Sequence, residues 1–178
     1  TSIMASRGCP YHCSYCQPTL GTIFGRRVRR RSPESLVAEA AELRERFGIE
    51  GLMWLDDTFL LDRGWMRRLC EQSIEADLGL IWGCNIRADV CDRESLEIMQ
   101  QAGLRMVHVG IESASQRVLD EVYSKGITIE QVRETTQVAS DLGLKVRGYF
   151  MLGAPTETEE EVRASIELAN DLPLDDVT

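Results

Sequence analysis

The sequence predicts an α/β fold built on a parallel sheet, and three features point to it. Short apolar runs alternate with stretches of helical periodicity along the whole chain. Capping residues open the helical stretches and glycine or proline closes several of them, so the elements have readable ends. The runs between helices are apolar-rich, as expected of strands covered on both faces. Strict strand–helix alternation requires crossover connections, which make parallel pairs.

Residues 2–6, SIMAS, read as the first strand. Ser32 caps a first helix with Pro33 at its first position. Leu36, Val37, Ala40, Leu43 and Phe47 line one side of it, and Gly48 ends it. Residues 51–57 form a second strand, and Asp62 caps a second helix carrying Trp65, Met66, Leu69 and Ile74. A third strand spans 80–87; Asp92 caps the helix of Leu96, Met99 and Ala102, which Gly103 closes. The fourth strand spans 105–112 and is followed by a short helix over 114–122. Thr128 and Gln131 make a capping box for a helix over 128–142. The fifth strand spans 145–152, and Thr158 with Glu161 opens a last helix that stops near Pro173. A sixth strand begins at Val177. The ends read as the middle of a longer protein, so the chain is expected to be a fragment holding one domain, 1–178.

At 178 residues the chain can bury a real core. A net charge of −9 argues against a broad nucleic-acid or anionic-membrane surface. The one basic run, residues 26–31, reads first as a solvated loop and second as a site for a local anion. No apolar run reaches the roughly 20 residues that span a bilayer. Six cysteines without a bridge-like pattern suit a reducing cytoplasm.

In parallel α/β folds, chemistry sits beyond the carboxyl ends of the strands. Here a cysteine loop follows strand one, Asp56-Asp57-Thr58 strand two, Asn85, Arg87 and Asp89 strand three, Glu112-Ser113 strand four, and Gly153-Ala154-Pro155 strand five. Cys9, Cys13 and Cys16 run C-x3-C-x2-C. The last two alone could be a redox pair. A structural zinc wants four ligands, with His12 as a cramped fourth. Three thiolates on an iron–sulfur cube would leave one iron open to an outside ligand. Cys70 and Cys84 read as core residues, Cys91 as a loop residue, and His108 as an interior histidine or one facing substrate.

This loop, placed after the first strand of a parallel α/β domain, resembles the radical S-adenosylmethionine (radical SAM) superfamily. "LDDTF" (55–59), "VGIES" (109–113) and "LGAPTET" (152–158) are similar to the superfamily's segments after strands two, four and five. The wording is most similar to the branch with a cobalamin-binding domain, which holds magnesium-protoporphyrin ester cyclase-like enzymes and class B methylases. The resemblance implies a partial TIM-like barrel with about five complete β/α units, cut before or in strand six. It implies a [4Fe–4S] cluster on Cys9, Cys13 and Cys16 and SAM on the open iron. Reductive cleavage of SAM would then give a 5′-deoxyadenosyl radical that takes hydrogen from a substrate. Tyr15, Asp56, Asp57, Glu112, Gly153 and Pro155 are implied SAM contacts, with Lys125 or Arg147 meeting the SAM carboxylate and Arg87 a third candidate. Implied partners are a small-molecule substrate, an electron donor such as flavodoxin or ferredoxin, and cobalamin on a domain outside this chain. Two other readings stand beside this one: an RNA-modifying methylthiotransferase and a non-catalytic zinc module.

Overall fold

The computed structural model of the chain describes residues 1–16, 21–23, 25 and 27–178. Its main sheet has six parallel strands in sequential spatial order. They are β1 (Ser2–Ile3), β4 (Gly51–Trp54), β5 (Ile81–Ile86), β6 (Leu104–Glu112), β7 (Lys145–Phe150) and β8 (Asp176–Val177). The helices between them are α1 (Pro33–Phe47), α2 (Arg63–Glu75), α3 (Arg93–Gln101), α4 (Ile129–Asp141) and α5 (Glu159–Asp171).

Every expected N-cap is in place. The side chains of Ser32, Asp62, Asp92, Thr128 and Thr158 each accept a backbone N–H three residues on. The last two complete reciprocal capping boxes. The helices pack on the sheet face that carries Leu52, Trp54, Trp82, Cys84, Val107, Val109, Ile111 and Val146, all buried. Leu36, Leu96 and Met99 reach this core from α1 and α3 fully buried, each contributing about 1.5–3 kcal/mol. Cys70 and Cys84 belong to the same core, and Cys91 packs against it. Phe59 sits among Trp54, Trp65 and Trp82 with ring centroids 5.6–5.7 Å away, anchoring the loop after β4 to the core.

The opposite face carries the alternate residues. Asn85, His108, Arg147 and Asp176 are lateral neighbours across β5 to β8. In the next layer Gly110 pairs with Tyr149.

Three expectations change. The first strand is not continuous: Ser2–Ile3 pairs with β4, while Ser6–Arg7 (β2) leaves the sheet and pairs antiparallel with Arg29–Arg30 (β3). The second strand ends at Trp54 because Asp56 turns inward to bind Ala5 and Ser6. The short helix expected over 114–122 is a π-turn, Val118–Val122, closed by the Tyr123 N–H on the Val118 carbonyl. The sixth strand is begun, with Arg147 opposite Asp176 and Gly148 opposite Val177.

Candidate active site

The chain reaches the site through the break between β1 and β2. Asp56 is 1% exposed; it accepts the Ala5 N–H at 3.1 Å and the Ser6 hydroxyl. That carboxylate holds the switch from sheet to ribbon and is used up in doing so. Burial pushes its pKa up, and the Ser6 and Ala5 hydrogen bonds oppose the shift. Gly8 follows at φ 97°, and a Cβ there would meet the Arg27 carbonyl oxygen at 2.8 Å. Only glycine lets the ribbon turn into the cysteine loop at this point.

The loop is fixed by residues more than a hundred positions away in the sequence. The Cys16 N–H donates to the Cys13 carbonyl at 3.1 Å. The Ser14 N–H donates to the Tyr123 carbonyl at 2.8 Å, and its hydroxyl to the Val122 carbonyl at 2.5 Å. Those carbonyls end the π-turn and would otherwise lack intrahelical partners.

Cys9, Cys13 and Cys16 line one pocket of about 260 Å³ together with Asp57, Glu112 and Lys125. It opens beyond the carboxyl ends of β4, β5 and β6, and Asn85, His108 and Tyr149 form its floor. Burial is the largest cause raising the Cys9 and Cys16 thiols, and the charges of Cys13 and Asp57 add to it. Asp57 is exposed at the rim, and burial raises its carboxyl while the Gly8 N–H opposes.

The end of β6 is bent to aim a carboxylate into this pocket. The sheet register shifts between Gly110 and Glu112. Glu112 takes φ 70°, and the Ser113 N–H closes back on the Ile111 carbonyl at 3.0 Å. This is the mark of a γ-turn, a conformation a non-glycine residue adopts only when its surroundings enforce it. The enforcement is visible. Lys125 Nζ donates to Glu112 Oε1 at 2.6 Å, and both side chains are under 10% exposed. The Tyr15 hydroxyl donates to the same oxygen at 3.0 Å and accepts from Lys125 at 3.1 Å. Burial, then the Glu112 charge, keeps the Tyr15 phenol protonated. Gly110 makes room: a Cβ there would lie 2.6 Å from Glu112 Oε1 and 2.7 Å from Lys125 Nζ.

Arg87, 7% exposed, reaches the cysteine loop from the end of β5. Its Nε and Nη2 fork onto Asp89 at 2.9 and 3.0 Å, and Nη2 also donates to the Lys125 carbonyl at 2.8 Å. Its Nη1 donates to Cys13 Sγ at 3.7 Å, and its guanidinium lies 3.6 Å over the Tyr11 ring.

Of the residues the sequence singled out as site candidates, the pocket collects Cys9, Cys13, Cys16, Tyr15, Asp57, Arg87, Glu112 and Lys125. It does not collect Asp56, whose oxygens face the β1–β2 break. Arg147, level with His108 in the sheet, is outside the pocket lining and pairs with Asp176 at 2.6 Å. Gly153 and Pro155 are exposed, and the Gly153 and Ala154 N–H groups fold onto Glu157. His12 is exposed and outside the lining. In the basic run, Arg26 lies outside the described residues; Arg30 pairs with Asp62, and Arg31 with Glu39. Tyr11 and Tyr149 carried no sequence signal, because nothing in their local pattern separates a pocket aromatic from a packing one.

The donor set suits a cube. Among the described residues, no three His, Cys, Asp or Glu side chains converge on a point for a single ion. The thiolates of an iron–sulfur cube bind separate irons, so its sulfurs stand apart around one pocket. Thiols that resist ionisation side by side become thiolates when a multiply charged centre sits among them.

Comparison with known proteins agrees. The sequence model of the Radical SAM superfamily matches residues 3–169. An uncharacterized methyltransferase of Pyrococcus horikoshii is 36% identical over 97% of this chain and 37% of its own length. An anaerobic magnesium-protoporphyrin IX monomethyl ester cyclase of Rubrivivax gelatinosus is 33% identical over 93% of this chain and 30% of its own. The chain thus spans about a third of the curated relatives it matches. The fold superposes on a radical S-adenosylmethionine methyltransferase from Kitasatospora setae, solved with cobalamin and a [4Fe–4S] cluster bound. The TM-score is 0.88 at 24% identity, over 99% of this chain and 35% of that one. The six strands are therefore a partial radical SAM barrel with its pocket on the inner face. No described helix is long and apolar enough to cross a membrane. With its family model matched over nearly its whole length, the chain belongs to the radical SAM superfamily.

Proposed function

We propose that this chain is the catalytic core of a cobalamin-associated radical SAM methylase or cyclase, with Cys9, Cys13 and Cys16 holding the [4Fe–4S] cluster. The observation that carries the reading is the single pocket shared by three thiols, the Asp57 carboxylate and the Glu112–Lys125 pair. When bound, the cluster supplies the electron that splits the sulfonium bond of SAM into methionine and a 5′-deoxyadenosyl radical. Everything else falls to side chains.

An ammonium carries three N–H donors, and Lys125 spends two on Glu112 and Tyr15. The third is free to meet the SAM carboxylate. Asp57, beside Cys9 and Cys16, is an acceptor suited to the SAM amino group. Glu112 accepts ribose hydroxyls, and the Tyr15 ring covers the adenine at the rim. Arg147, held by Asp176 outside the pocket lining, is the weaker candidate for the carboxylate.

The substrate is a small molecule entering over His108 and Tyr149, and the reductant is a one-electron donor such as flavodoxin or ferredoxin. Cobalamin would be held by a domain outside this chain, a reading supported by the relatives and by their greater length. The test is anaerobic reconstitution of the full-length protein with iron and sulfide. About four irons per chain, a cluster signal in electron paramagnetic resonance and 5′-deoxyadenosine after reduction with SAM are expected. One zinc per colourless chain, or iron binding that survives replacement of all three cysteines, ends the proposal.

A further inference from the structure

Arg87 donates a hydrogen bond to a thiol of the cysteine loop, Cys13 Sγ. Its other contacts leave it no freedom. Asp89 holds it by two hydrogen bonds, the Lys125 carbonyl by a third, and Tyr11 lies flat beneath it. A side chain clamped on four sides is poorly placed to turn toward a substrate, yet one of its two remaining N–H groups donates to a sulfur. Burial of a cation is costly unless something is gained or it is well paired. Asp89 pairs it, and Nη1 is left for Cys13.

We infer that Arg87 is a positioning residue that sets the reduction potential of the cluster on Cys9, Cys13 and Cys16, through its N–H on Cys13 Sγ and its fixed charge. The inference rests on the cluster reading above. An N–H donated to a ligand sulfur, and a positive charge beside it, both favour the reduced, more negative cluster. Asp89 opposes the charge part, at 18% side-chain exposure against 8% for Arg87, so the pair forms a dipole with its positive end toward Cys13. Arg87 and Asp89 therefore act in opposite directions on one quantity, which a purely structural role would not produce. The contact with the Lys125 carbonyl also ties this control to the loop that presents the Lys125 ammonium to Glu112.

The experiment is redox titration of the reconstituted full-length protein, read by the cluster's paramagnetic resonance signal, for wild type, Arg87→Met, Arg87→Lys and Asp89→Asn. Affinity for SAM is measured beside it. In Arg87→Met the reduced-to-oxidised ratio at a fixed potential should fall tenfold or more, about 59 mV for a one-electron couple. Asp89→Asn, which keeps Arg87 and removes its counter-charge, should shift the ratio the other way. Arg87→Lys should lie between wild type and Arg87→Met. If Arg87→Met loads no iron, the opposite shift in Asp89→Asn still decides. Ratios within twofold of wild type in every variant that loads its irons overturn the inference and leave the cluster reading standing. A change confined to SAM affinity also overturns it and makes Arg87 a SAM contact. A wild type that takes up no cluster overturns both.

Discussion

The buried pair of Glu112 and Lys125 sets the energetics at the level of single residues. Neither charge has water to fall back on, so removing one leaves the other exposed to the full cost of burial. Lys125→Met is expected to destabilise the protein by about 3–5 kcal/mol at neutral pH, measured by urea unfolding. Adding Glu112→Gln to that variant should recover part of the loss, since the stranded charge is gone. Gly110→Ala tests the same pair from below. Its new Cβ would stand 2.6 Å from Glu112 Oε1, so carboxylate and ammonium must separate or shift. It should weaken SAM binding at least tenfold, read by calorimetry on the reconstituted protein, and lower stability by about 1–3 kcal/mol. The string VGIES marked Glu112 as an acid at the end of strand four, while its pairing with Lys125 and the room Gly110 leaves for it are tertiary facts. The γ-turn at Glu112 was not legible, because a positive φ at glutamate comes from tertiary contacts with Lys125 and Tyr15 rather than from local preference. Arg87 was read as a third SAM candidate; it lines the pocket, and only the fold shows that it also bonds to Asp89 and Cys13.

Among the elements, helix starts were the most legible part of the sequence. A cap is a local bargain between one side chain and an N–H three residues on, so Ser32, Asp62, Asp92, Thr128 and Thr158 all announce themselves. The break in the first strand is a non-local event decided by Asp56, fifty residues away, and the sequence around Ala5 does not reveal it. The π-turn is likewise set by distant partners. Arg117 at its start is held by Glu161 of α5, which also accepts from Ser115 at 2.6 Å and closes the α5 capping box. Arg117 is the largest cause holding the Glu161 carboxyl at about 2, below its ordinary 4.5. A carboxyl lowered on folding gives stability that is present above pH 4.5 and fades as the pH falls toward about 2. The urea midpoint of the wild type should therefore drop between pH 4.5 and 3 more steeply than that of Glu161→Gln. Equal slopes would show that the clamp does not discriminate the two protonation states.

For the molecule as a whole, scaffold and chemistry are on opposite faces of one sheet. The apolar core lies between the sheet and its helices, while the cysteine loop hangs over the inner face, and even buried Cys13 lies outside that core. The parallel order was readable because alternation of strands and helices forces it. Which face is the inner one was not readable from strand five alone, where Arg147 and Tyr149 alternate with Val146 and Gly148. Lateral pairing with Asn85 and His108 settles it, and pairing across strands is invisible in a single run of residues. This separation has a measurable consequence. Replacing Cys9, Cys13 and Cys16 together by alanine removes three thiols, and one hydrogen bond from Arg87, from a loop held mainly by Gly8, by the backbone and hydroxyl of Ser14, and by Tyr11 under Arg87. The cluster-free protein should lose no more than about 1 kcal/mol, or about 2–4 °C in Tm for a domain of this size. Iron uptake should vanish in the same variant. A triple variant that unfolds in the apo state would mean that the thiols pack as core, and that scaffold and site are not separable here.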